Sequence, residues 1–154
     1  MEKEVIVYIK GTQQQPGSTD AAQQDVQELY VKGVCYQRRG KWYVFYEEET
    51  GADAPPVRCA LRFTAEELVV NRQGQMESSL TLRAQEKTQN RYCTTAGMMA
   101  LGCETNEYRL QETKEALRLY AAYRLELNGI YVSDNRIEIC IRPSYGTEDE
   151  NMES

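Results

Sequence analysis

The chain contains no histidine. A Ser-His-Asp or Cys-His nucleophile arrangement is therefore ruled out, and so is a Cys/His zinc site. The five cysteines (Cys35, Cys59, Cys93, Cys103 and Cys140) form no CxxC pair and fall inside strand-like runs. They read as small apolar side chains kept reduced, with a single reactive thiol as the alternative. No apolar run approaches the roughly 18 residues that a membrane-spanning helix needs. The opening "MEKEVIVYIK" has acid at its front and no small-residue cleavage site, so neither a signal peptide nor a membrane segment is expected and a cytoplasmic location is. Phosphate-binding glycine loops and EF-hand spacing are both missing, so no cofactor or metal is expected.

Positive charge is scarce too. The formal net charge is −6, and Glu148, Asp149, Glu150 and Glu153 supply four of those negative charges. With no Lys/Arg cluster to reverse that balance locally, nucleic acid is not an expected partner. Phe and Trp number two and one against eleven Tyr, a skew that suits half-buried sheet positions, because Tyr has an apolar body and a polar tip.

What is present in abundance is period-two alternation. Leu117, Leu119, Ala121, Tyr123, Leu125 and Leu127 alternate with Arg118, Tyr120, Ala122, Arg124 and Glu126. Val57, Cys59, Leu61 and Phe63 alternate with Arg58, Ala60, Arg62 and Thr64, and Ile137, Ile139 and Ile141 with Arg136, Glu138 and Arg142. Further strands are expected at 3–12, 26–37, 41–48, 67–73, 76–86, 89–95, 98–103 and 105–113. Arg39-Gly40, Gln73-Gly74, Asn128-Gly129 and Asp134-Asn135 carry turn chemistry between them, and Asn128-Gly129 is the strongest hairpin signal. Residues 13–24 read as a polar loop, with a short helix at 19–29 as the alternative, and "TAEE" at 64–67 as a tight turn rather than a helix N-cap. Residues 144–154 have the composition of a disordered acidic tail.

Ten or eleven short strands with almost no helix leave a sandwich or a closed barrel. Long alternating strands joined by tight hairpins favour a single up-and-down antiparallel barrel of about 8–10 strands over residues 1–143, because closure removes exposed edges. The stretch "KWYVFYEEE" sends Trp42, Val44 and Tyr46 to one face and Tyr43, Phe45 and Glu47 to the other. A strand apolar on both sides needs cover on both, from the barrel interior on one and from the 13–24 loop or a second subunit on the other.

Four blocks resemble a known family: "GVCYQRRGKWYVFYEE" (33–48), "VVNRQGQM" (69–76), "RYCTTAGMMALGCET" (91–105) and "YRLELNGIYVSDNRIEICI" (123–141). In that order and spacing they are similar to the DUF1934 family of uncharacterised bacterial proteins, over roughly residues 4–143. The resemblance implies a calycin-like, lipocalin-type barrel and no established activity. Where the family pattern has Thr-Pro-Tyr-Gly this chain has Thr94-Thr95-Ala96-Gly97, so Thr94 and Gly97 keep their places and the family's aromatic has no counterpart.

A barrel of this size has an interior that side chains either fill or leave wide enough for one small ligand. Trp42, Tyr46, Tyr92 and Tyr123 are the candidate lining, with Thr94 beside them and a filled core as the alternative. Arg72 is the candidate interior or rim charge, bound either to a ligand anion or to an internal acid, or else a surface residue flanking a turn. The block Glu47–Glu49 reads as a solvated strand end. The resulting expectation is a non-catalytic barrel taking a small apolar or anionic ligand in or at its mouth, contacted by Arg72 and the aromatics. The alternative is an interaction module that buries an apolar sheet face in a homodimer or against a partner.

Overall fold

The computed structural model describes residues 2–16, 24–49, 51, 53–74, 77–94 and 96–144. Loop residues 17–23 and tail residues 145–154, on which expectations had been placed, lie outside them. Alternation becomes ten strands: β1 (Lys3–Gln14), β2 (Asp25–Arg38), β3 (Lys41–Glu48), β4 (Val57–Phe63), β5 (Glu67–Gln73), β6 (Ser78–Arg83), β7 (Lys87–Thr94), β8 (Gly97–Glu112), β9 (Leu117–Leu127) and β10 (Ile130–Pro143). Each pairs antiparallel with its chain neighbour, and β1 closes the circle on β10. The expected up-and-down barrel is thus the observed one. Among the described residues there is no helix, and none long and apolar enough to cross a membrane.

Turn chemistry fixes the pairing. Arg39 and Gly40 have φ of 53° and 79°, and Asn128 and Gly129 have 49° and 86°, the left-handed pair that matches the twist of a two-residue hairpin. Residues 64–66 form the expected turn, in which Thr64 Oγ1 accepts from the Glu66 N–H at 3.2 Å. Gly33 is required by packing, because a Cβ there would sit 2.6 Å from the Phe45 carbonyl oxygen.

One face of each strand forms a single continuous core, with Val7, Val44, Leu61, Phe63, Leu68 and Leu82 all essentially inaccessible. The centre of the barrel is therefore packed rather than hollow. Outside, the second aromatic face of β3 is covered only in part: Tyr43 stacks on Tyr36 of β2 with centroids 5.0 Å apart, and Phe45, 6.0 Å from the same ring, stays exposed.

Several expected boundaries differ: β1 runs to Gln14, into the loop expected at 13–24, and Asp134-Asn135, expected as a turn, is paired within β10. The strands at 98–103 and 105–113 are one strand, β8, with a bulge between Thr105 and Glu107. The bulge moves the inward set from Cys103 and Thr105 to Tyr108 and Leu110, a phase change that reads in sequence as a break. Strand β10 begins at Ile130 rather than near 137, because its first inward residues, Ser133 and Asn135, are polar.

The β2–β3, β4–β5, β6–β7 and β8–β9 turns and the starts of β1 share one end of the barrel. Here the bulge lets β8 lean across to the β4–β5 turn, where the Tyr108 hydroxyl donates to the carbonyls of Thr64 and Glu67 at 2.8 Å each.

Candidate functional site

The proposed site residues do not meet in one place. Tyr46, Arg72 and Tyr92 share one inward row, since Tyr46 pairs with Cys59, Cys59 with Arg72, Arg72 with Ser78 and Ser78 with Tyr92. Trp42 lies four residues back along β3, about 13 Å away. Tyr123 belongs to a third row with Thr105 and Asn135. Thr94 ends β7 opposite Gly97, and its side chain lies outside what is described. A single pocket lined by all six is therefore corrected to three separate neighbourhoods.

The Arg72 row is a self-contained polar chain. The Tyr46 phenol lies against the Cys59 thiol. The Cys59 thiol in turn faces Glu48 Oε2 at 3.9 Å, and that same oxygen takes Arg72 Nη2 at 2.9 Å. Burial pushes both the Tyr46 phenol and the Cys59 thiol up from their ordinary values, so each stays a neutral donor. Glu48, expected on a solvated strand end, instead turns inward to partner the arginine. The pair is half-exposed, with side-chain accessibilities of 43% for Arg72 and 27% for Glu48.

In the third neighbourhood, burial raises the Tyr123 phenol, with a hydrogen bond from Asn135 opposing it. Beside it, Thr105 Oγ1, Ser133 Oγ and Asn135 Oδ1 are buried without a hydrogen-bond partner among the described residues. Burial also pushes the Cys103 thiol up to about 11. All five thiols are free, and among the described residues no group of His, Cys, Asp and Glu is placed to hold a metal.

Trp42 is where the interior opens. At its end of the barrel a cavity of about 390 Å³ is walled by Val5, Cys35, Trp42, Leu117 and Ile141 and roofed by the β8–β9 turn, residues 113–116. The strands supply apolar walls because this is the end at which inward positions are aliphatic. Thr113 builds the roof: its hydroxyl oxygen accepts from the backbone N–H of Glu115 at 3.2 Å and of Ala116 at 3.1 Å. Burial raises the Cys35 thiol while nearby Lys3 lowers it, with burial the larger effect. Lys3 and Lys114 stand at the rim with Glu112 and Glu115, and neither lysine makes an ion pair among the described residues. Sequence reasoning found Trp42 but missed the roof and the lysines, which come from remote parts of the chain and carry no local pattern.

A closed ten-stranded barrel with a packed centre and one apolar mouth is the class of protein that these features define. The chain belongs to the DUF1934 family, described as a domain of unknown function, whose profile matches residues 7–139. It is similar in structure to the ywiB protein from Bacillus subtilis, solved by crystallography, with a TM-score of 0.77, 21% identity and 93% of each chain covered; at that identity the likeness concerns the fold. No curated protein matches the chain.

Proposed function

We propose that the protein is a non-catalytic, cytoplasmic barrel of the calycin kind that holds a small ligand in its Trp42 mouth. The ligand has an apolar body and an anionic end. The observation that carries this reading is the cavity of about 390 Å³ with apolar walls and two rim lysines that make no ion pair among the described residues. Its volume lies within the roughly 300–1,000 Å³ usual for small-molecule pockets. Arg72, the cation first singled out, already has Glu48 as a partner, so a ligand there would have to displace a carboxylate.

The single tryptophan of the chain is Trp42, so emission excited beyond the tyrosine absorption band reports on this cavity. Titration with decanoate, which has an apolar chain and a carboxylate, should shift Trp42 emission saturably, and Lys3→Gln with Lys114→Gln should weaken the response several-fold. A flat emission spectrum up to millimolar decanoate, with no small molecule retained in native mass spectrometry, would sink the proposal.

A second reading, contact between two copies through an outer sheet face, is supported by the Tyr36–Tyr43–Phe45 stack and by Phe45 being 40% exposed. A strict monomer in sedimentation counts against it.

A further inference from the structure

A wide concavity lies on the outside of the barrel, and neither the mouth nor the Arg72 row contributes to it. It is a trough of about 810 Å³ that crosses the outer faces of β2, β1, β10, β9 and β8. Its axis follows one cross-strand row, in which Tyr30 pairs with Tyr8, Tyr8 with Cys140, Cys140 with Arg118 and Arg118 with Gln111. Four strand spacings make this row about 19 Å long, the length of roughly six extended residues.

The chemistry changes along it. At the β1–β2 end, Tyr8 and Tyr30 lie with ring centroids 4.5 Å apart, and Tyr30 is 66% exposed. The Tyr8 hydroxyl donates to the Glu28 carboxylate, which fixes that ring. At the β8–β10 end stand Arg109, Arg118 and Arg142. Arg109 is partly engaged, lying 4.7 Å over the Tyr120 ring and 3.9 Å from Glu107. Arg118 and Arg142 make no ion pair among the described residues. Two uncommitted guanidiniums on one face run against a chain of net charge −6.

We propose that this trough docks an extended acidic segment of a partner protein, about six residues long, with carboxylates on Arg118 and Arg142 and an apolar or aromatic side chain on the Tyr8–Tyr30 pair. Arginine forks suit carboxylates geometrically, and a stacked tyrosine pair offers a rigid apolar anchor at low entropic cost. A peptide fits better than a polyphosphate strand, because Glu138 lines the same trough and Glu28 stands at its aromatic end. A peptide can place its neutral residues there, whereas an oligonucleotide carries charge at every step.

The test uses fluorescence anisotropy of a labelled hexapeptide, Tyr-Ser-Gly-Glu-Ser-Glu, which keeps neutral residues toward the Glu28 and Glu138 side, with the full-length chain. Saturable binding that weakens with added salt is expected. Arg118→Glu with Arg142→Glu should weaken it at least tenfold at unchanged melting temperature, since both side chains are exposed. Arg58→Glu with Arg62→Glu on β4 makes the same change in net charge and should leave binding within about twofold. Tyr30→Ala should weaken it a few-fold, which charge alone would not produce. Four results overturn the proposal: no peptide binding at low salt, equal loss in both charge-reversed pairs, a hexathymidine oligonucleotide binding as tightly as the peptide, or a dimer that disappears in the Arg118/Arg142 variant while peptide binding is nil.

Discussion

The Arg72 row and the Trp42 mouth are both inward-facing and both carry residues that a sequence reader would choose for a ligand, yet they have opposite physical character. In the row, each polar group has been given to another: phenol to thiol, thiol to carboxylate, carboxylate to guanidinium. A network closed in this way has little left to offer a ligand. In the mouth, apolar surface faces an open volume and two rim lysines make no ion pair among the described residues. An inward charge by itself therefore says little about binding. What matters is whether the fold has already supplied its partner.

The largest effect on this contrast is expected at Phe63, in the core beside Trp42. Phe63 pairs across the sheet with Trp42 and is 1% exposed. Phe63→Ala should cost about 3–5 kcal/mol, the range for emptying a buried aromatic site. It should also deepen the mouth, so that Trp42 emission moves to longer wavelength in the folded protein. Urea unfolding followed by that emission reads both effects. A loss below about 1 kcal/mol would mean that this end is loosely packed and the contrast between the two regions overstated.

A smaller effect is expected at Tyr108, which ties β8 to the β4–β5 turn at the same end. Burial pushes its phenol up, and the nearby Glu67 charge adds to that. Tyr108→Phe removes the only side-chain donor to the Thr64 carbonyl among the described residues, leaving Glu67's carbonyl its backbone bond from Thr64 at 2.9 Å. About 1–2 kcal/mol should be lost, with amide exchange rising first at residues 64–67 and leaving β9 and β10 protected. Uniform loss of protection across the barrel would show that the tie is not local.

Much of this architecture was legible because the pleat converts alternation into facing. Six consecutive alternations in 117–127 and the Asn128-Gly129 turn place β9 and β10 without help. Legibility failed where polar residues face inward. Ser133 and Asn135 concealed the first half of β10, and the Thr105/Glu107 bulge divided β8 in two. The site was readable only by residue type. Glu48 partners Arg72 because β3, β4 and β5 pair in one particular register, and the roof of the mouth reaches Trp42 from more than seventy residues later in the chain. Neither relation leaves a trace in local sequence.

The finest test of the contrast is Arg72→Ala, where the two regions make opposite demands. If the row is structural, removing the guanidinium leaves Glu48 near an open edge, able to recruit water. Both side chains are already partly solvated, at 43% and 27% accessibility, so the stability cost should be about 1 kcal/mol or less. Decanoate titration through Trp42 should be unchanged, since Tyr46, the member of the row on β3, is already about 13 Å from Trp42 along that strand, and Arg72 lies two strands further across the sheet. If decanoate affinity instead falls tenfold at unchanged stability, the anion is held by Arg72, the ligand runs through the barrel rather than sitting in one mouth, and the packed centre must open to admit it.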